Sequence, residues 1–311
     1  MRFRHARGIF TVIMSAGLQC AHAQQAVSPI EQARLFEELP TSTNTEVHAN
    51  GMALANDDTT SDDSFGAQLI LKSQPRIPTF VVTGDASVFY PNNVALTRRD
   101  KVDDTFFVTN AGVSWTPLIA PRLEAQIAAH GSIFRYDSTS ALDFENLGLG
   151  AGLSWNPDHF AGVGLFAHYD FTELIDRHSE EILRDHEFTI GAQKVFPLGR
   201  AHAFVAGATV MAGVTEPESA QRDQAGVFLA YRLQATRSLG VEFLYRFAGY
   251  FYNDPGRIDR NQLFSASVRY RLREWADINA FFSFADNCSD DSAFNYDAVA
   301  NGGGLSATVR F

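Results

Sequence analysis

LFSASVRYRL, residues 263–272, alternates without a break. Phe264, Ala266, Val268, Tyr270 and Leu272 fall on one side of an extended chain, and Ser265, Ser267, Arg269 and Arg271 fall on the other. A period of two marks a strand whose faces meet different surroundings. Alone, the stretch fits a soluble sheet with its apolar side packed inward. It fits equally a membrane barrel with its apolar side turned out. Repetition along the chain separates the two.

The same pattern recurs on both sides. In LGVEFLYRF, residues 239–247, Leu239, Val241, Phe243, Tyr245 and Phe247 oppose Gly240, Glu242, Leu244 and Arg246. In GVFLAYRL, residues 226–233, Val227, Leu229, Tyr231 and Leu233 oppose Gly226, Phe228, Ala230 and Arg232. Segments of this kind fall roughly at 79–90, 105–116, 121–136, 144–156, 159–171, 185–197, 201–214, 223–235, 238–251, 261–273, 275–286 and 299–311, twelve in all. The seventh, around AFVAGATVMAGV, shows no clear pair of faces.

The connections come in two sizes: short ones such as NPDH, PLGR, ATRS and REW alternate with longer polar ones such as PNNVALTRRDKVDD, TELIDRHSEEILR and DNCSDDSAFNYD. An even strand number with short turns at one end and longer loops at the other is the layout of an outer-membrane barrel. Aromatic placement agrees with it. All three tryptophans, Trp115, Trp155 and Trp275, sit at short turns. Tyr90, Phe106, Phe107, Tyr136, Phe144, Tyr169, Phe171, Phe251, Tyr252 and Phe264 stand toward the opposite strand ends. Two aromatic belts around an apolar band are what a bilayer interface selects. The expected fold is therefore all-β, an antiparallel up-and-down transmembrane β-barrel of about twelve strands over residues 78–311.

Two segments precede the barrel. MRFRHAR, GIFTVIMSAGL and AHA give the charged, apolar, small-residue order of a secretory signal peptide, residues 1–23. Its removal takes three of 25 basic residues and leaves 22 against 36 acidic ones, a net charge of about −14. So acidic a chain makes a poor nucleic-acid binder, because that affinity rests on cations meeting phosphates. Cys288 alone remains of the two cysteines, so no internal disulfide frames the fold. No stretch past the signal reaches the ~20 apolar residues of a spanning helix. Residues 24–77 form an N-terminal segment expected in the periplasm or inside the lumen. SPIEQARLFEEL starts it with a capping box from Ser28 to Glu31 and a short helical run, and NDDTTSDDS continues it as an acidic, turn-rich stretch.

The chain closes on GGGLSATVRF, residues 302–311, in which Leu305, Ala307, Val309 and Phe311 share a face. With this ending and twelve alternating segments, the sequence resembles the Gram-negative outer-membrane β-barrel proteins and, more loosely, the β-barrel porin group. The resemblance covers residues 78–311 as architecture. It implies that Leu305, Ala307, Val309 and Phe311 form the signal read by the barrel-assembly machinery, with Ser306 where that signal commonly has glycine. It also implies residence in the bacterial outer membrane, among its lipids and lipopolysaccharide.

If the apolar faces meet lipid, the opposite faces line the lumen. The basic side chains there are Arg232, Arg246, Arg269 and Arg271. The acidic and polar ones are Asp85, Glu124, Gln126, His130, Asp170, Glu187, Glu242 and Asp277. The arginines come from consecutive segments, so a basic wall should face an acidic one. Such a wall suits a narrow pore for a small polar or anionic solute. The alternative is a non-conducting structural or assembly-partner barrel, plugged by its own charges or by residues 24–77. Eight strands leave room for side chains only and sixteen leave an aqueous channel; twelve lies between. Gly148, Gly150, Gly152, Gly162 and Gly164 leave a wall patch without side chains, which widens a pore or admits another element.

No catalytic, cofactor or metal site is expected. His130 and Ser132 share the inward face without a third group to orient the base. The pairs Asp185–Glu187 and Arg177–Glu181 read as solvated loop, and the DNCSDD cluster as an acidic surface loop. Removing Phe311 should lower the amount of barrel assembled into the outer membrane of cells while leaving refolding in detergent intact, which heat-dependent electrophoretic mobility of the two preparations measures.

Overall fold

The computed structural model describes Ile30, Glu31, Arg34 and Leu35, and residues 79–311 apart from 254 and 255. The signal peptide, the acidic stretch of the N-terminal segment and Ser28 of the capping box lie outside the described residues. Thirteen strands follow one another: β1 Phe80–Pro91, β2 Phe106–Trp115, β3 Leu118–Ala120, β4 Leu123–Tyr136, β5 Phe144–Trp155, β6 Val163–Asp176, β7 Glu181–Pro197, β8 His202–Glu216, β9 Arg222–Gln234, β10 Leu239–Tyr252, β11 Ile258–Arg273, β12 Ala276–Ser289 and β13 Tyr296–Arg310. Each pairs antiparallel with its neighbours, and β2 reaches past the three-residue β3 to pair with β4. The result is a closed twelve-stranded up-and-down barrel with one extra short strand.

Closure happens between β1 and β13, where Val81 faces Arg310 and Pro91 faces Ala300. The Phe311 amide donates to the Phe80 carbonyl at 2.9 Å and the two rings stand 6.0 Å apart. An unclosed sheet would leave a row of unpaired backbone groups, which hydrocarbon cannot satisfy. Gly302 and Gly304 permit this seam: a Cβ at Gly302 would fall on the Val88 carbonyl oxygen and the Phe281 ring, and one at Gly304 on Ser87 and the Ala86 carbonyl oxygen.

The alternation sorts the two faces. Phe188, Ile190, Val210, Val214 and Leu305 stand more than half exposed around the outside. A water-soluble domain would not leave so continuous an apolar girdle uncovered. Trp115, Trp155, Trp275 and Phe311 are exposed at the end that holds the barrel's first and last residues. The strand without clear faces, β8, turns Val210 and Val214 outward and Val205 and Met211 inward.

Two expectations change. The residues read as long loops around TELIDRHSEEILR are mostly strand, because β6 runs on to Asp176 and β7 begins at Glu181. Strands β10 to β13 likewise lengthen at that end, so only the connection 92–105 is long and the contrast in loop size is small. The second change concerns the distal aromatics. Tyr90, Phe107, Phe251 and Phe264 face out, but Phe106, Tyr136, Phe144 and Tyr252 are buried inside. Phe106 and Phe107 are adjacent, as are Phe251 and Tyr252, and successive residues of a strand must point to opposite faces.

Gly302→Val and Gly304→Val should each destabilise the barrel by about 1–3 kcal/mol through overpacking at the seam. Gly84→Ala, whose added carbon would lie 3.7 Å from the Asn110 oxygen, should cost little. The temperature at which the compact band converts to the unfolded band on electrophoresis checks both.

Candidate functional site in the barrel lumen

The lumen has two halves of different character. Toward the end with Phe80 and Phe311 it is polar and reached by solvent. Arg232 donates from Nε to Glu242 at 2.5 Å across β9 and β10, and Arg271 lies 3.9 Å from Asp277 across β11 and β12. Arg269 is exposed beside them. Two of the four arginines read from the sequence are thus partly neutralised by carboxylates on the next strand, which weakens the basic wall. Arg246 lies deeper and donates to the Tyr250 hydroxyl at 2.7 Å and to Asn261 at 3.3 Å.

Apart from Glu242 and Asp277, the acidic and polar set lies on the inward faces of the other strands. Asp85 accepts from Asn110 at 2.9 Å, and Gln126 is buried. Glu124, His130, Asp170 and Glu187 share this side, and Ser132 faces inward with His130. The glycine patch is occupied rather than vacant. A Cβ at Gly148 would strike the His130 ring, one at Gly152 the His168 ring, and one at Gly150 would approach Asp170 to 3.0 Å. Gly191 and Gly207 hold the rings of Phe166 and Phe228 in the same way. Rings set against a neighbouring strand's glycine take the space its missing side chain leaves. Gly162 is not wall at all, since it follows a 3₁₀ turn with φ +79°.

The other half is packed with apolar side chains. Phe89 stacks on Phe106 at 4.9 Å, Phe106 on Tyr136 at 4.8 Å, and Phe134 on Phe144 at 4.2 Å, all inside the barrel. Each such pair contributes about 0.5–1.5 kcal/mol beyond its buried area. Leu174, Leu183, Leu263 and Tyr296 extend this layer. Ile30 and Leu35, helical residues of the N-terminal segment, are buried in the same cluster. Of the two places open to that segment, its four described residues occupy the lumen.

Charged contacts fix that helical turn. Arg34 pairs through Nη2 with Asp185 and donates from Nη1 to the Ala220 carbonyl at 3.1 Å. Asp185 also accepts from Thr215 at 2.7 Å. Glu31 accepts from the Tyr252 hydroxyl at 2.7 Å, faces Arg222 at 3.4 Å and lies 3.8 Å from Arg34. Burial pushes the Glu31 carboxyl up, but Arg222, Arg34, the Tyr252 hydroxyl and Arg257 outweigh it and hold it below its ordinary value. Among the described residues, the Glu31 carboxylate meets Tyr252 and Arg222 of the barrel wall and Arg34 of its own turn.

Sequence reading missed three of these partners. Asp185, read as loop, is 2% exposed and faces inward from β7. Arg222 and Arg257 fell one and four residues before the expected strand starts at 223 and 261, so neither received a face. Parity could have found Arg222, because it is an even number of residues from Arg232 on one strand.

Because ionised Glu31 is favoured by docking, its contribution is complete above the ordinary carboxylate value of 4.5 and is lost as pH falls through the lowered one. Hydrogen exchange in the peptide holding Glu31 and Arg34, corrected for intrinsic rate, should be slow at neutral pH and quicken in acid. Glu31→Gln should remove that acid step.

No family model matches the sequence, and no curated protein is similar to it. Solved structures are similar in fold. An outer-membrane channel from Pseudomonas putida F1 aligns over 78% of this chain and all of its own length, with 12% identity and a TM-score of 0.51. An anion-selective porin from Comamonas acidovorans aligns over 75% of this chain and 99% of its own, with 8% identity and a TM-score of 0.39. The KdgM porin, solved in complex with disordered oligogalacturonate, aligns over 72% of this chain and 98% of its own, with 4% identity and a TM-score of 0.38. The chain shares the antiparallel β-barrel fold of the Pseudomonas putida F1 outer-membrane channel.

Proposed function

We propose that this protein is a porin-like channel of the bacterial outer membrane, closed at rest by its own N-terminal helical turn, which passes small polar or anionic solutes once that turn leaves. It is exported by its signal peptide, inserted by the barrel-assembly machinery through Leu305, Ala307, Val309 and Phe311, and set among lipids and lipopolysaccharide. No catalytic step is assigned to it. The observation that carries the reading is the double charge lock of Arg34 on Asp185 and Glu31 on Arg222. A purely structural filling would be served by apolar side chains, since buried ion pairs contribute little net stability over well-packed apolar groups. Charged contacts are, by contrast, separable by changes in charge. Below the lock, Arg232, Arg246, Arg269 and Arg271 would favour anions over cations.

A second reading rests on the aromatic layer. Phe89, Phe106, Phe134 and Phe144 belong to the barrel strands and stay when the helical turn leaves. If they alone seal the lumen, the protein is a non-conducting structural or assembly-partner barrel.

Planar-bilayer recording separates the readings. The full chain should be silent, and deletion of residues 24–77 should give discrete conductance steps with anion preference. Arg246→Ala or Arg269→Ala in the deleted form should reduce that preference. Silence of the deleted form supports the structural barrel instead.

A further inference from the structure

The wall that receives Glu31 is built as a carboxylate cradle. Four side chains line it, each at least nine-tenths buried: Arg222, Arg257, Tyr250 and Tyr252. The Arg222 guanidinium lies over the Tyr250 ring at 4.1 Å, and Arg257 lies between the rings of Tyr252 at 3.7 Å and Phe294 at 3.6 Å. Stacking of this kind fixes the planes of both guanidinium groups before any anion arrives. Asp259 faces Arg257 at 3.0 Å and offsets part of its charge. Arg222 turns its charge to Glu31, at 3.4 Å. The Tyr252 hydroxyl adds a donor at 2.7 Å to the same carboxylate.

We infer that this cradle is a binding site for a small carboxylate solute, and that Glu31 occupies it as an internal stand-in, so that the solute and the helical turn compete for Arg222 and Tyr252. The inference rests on the closed-channel reading above and adds to it a ligand class and a means of opening. The Tyr250 and Tyr252 faces are already covered by arginines, so the cradle recognises the carboxylate itself rather than a stacked ring. A carboxylate that fills it removes one half of the charge lock, leaving Arg34 and Asp185 to hold the turn. Occupancy of the site by solute thus weakens the closure of the path that the solute would take.

Competition makes a directional forecast. Neutralising the stand-in, with Glu31→Gln, should expose the cradle and raise affinity for a free carboxylate. Fluoroacetate is the probe, followed by broadening of its ¹⁹F line on addition of the full-length protein in detergent micelles at constant ionic strength. Glu31→Gln should bind fluoroacetate at least tenfold more tightly than wild type. Adding Arg222→Gln, or separately Tyr252→Phe, should return the affinity to or below the wild-type level. Wild-type heat-dependent mobility of each variant establishes that its barrel is folded; Tyr252→Phe removes only a hydroxyl and serves if Arg222→Gln does not fold. Equal binding by wild type and Glu31→Gln, or binding that Tyr252→Phe leaves intact, overturns the proposal. A thiol introduced by Leu35→Cys in a Cys288→Ser background keeps the two readings apart. If that thiol is protected from maleimide and Glu31→Gln gains no affinity, the cradle proposal alone fails. If it reacts freely in the otherwise unaltered chain, the closed-channel reading fails and the proposal with it.

Discussion

Backbone hydrogen bonding in a medium without water is the constraint on which this structure depends. A sheet that meets hydrocarbon must satisfy every amide and carbonyl within itself, and for strands only closure does so. The antiparallel pairing of β1 with β13 is that closure, ended by the hydrogen bonds between Phe80 and Phe311. It also explains the triple glycine at 302–304: the seam brings two strands together where side chains at Gly302 and Gly304 would meet carbonyl oxygens of β1. Once the sheet is closed, each strand has one face for lipid and one for the lumen, and the period of two assigns every side chain.

The lumen is where a twelve-stranded barrel must solve a second problem. Its interior is too wide for the side chains of the wall to fill and too narrow for a broad aqueous channel. The two halves show two solutions. Toward Phe80 and Phe311 rings occupy the space beside glycines of the next strand, as His130 does at Gly148 and Phe228 at Gly207, and charged side chains line the remaining space. In the distal half inward aromatic residues meet one another, and Ile30 and Leu35 complete their packing. The helical turn adds what the wall lacks there: an apolar filler, and a cation and an anion for buried partners. Removing Arg34 would leave Asp185 buried without its cation, a change that typically costs about 3–5 kcal/mol.

Much of this was legible from residues 263–272 and their repeats. Alternation gives the strand count, the two faces and, with an even count, both barrel ends on one side, which places Phe311 beside Phe80. What was not legible has a common cause: local period says which way a side chain points, but not what it meets across the barrel. Phe106 and Phe144 look like belt residues until parity is applied strictly and their neighbours on other strands are known. Arg222 fell just outside its segment, and Asp185 stood at the very start of one and was taken for loop, because polar residues at strand ends read like loop. The residence of Ile30, Glu31, Arg34 and Leu35 in the lumen joins residues more than 150 apart in sequence, and no local pattern encodes it.

The central claim is that a charge pair between the N-terminal turn and β7 holds the lumen shut. Single-channel recording of a charge exchange tests it most directly. Arg34→Asp and Asp185→Arg alone should each produce openings that the wild-type chain lacks, and the double variant, with the pair restored in reverse, should fall silent again. Single variants as silent as wild type, in barrels that show the folded mobility, would contradict the account.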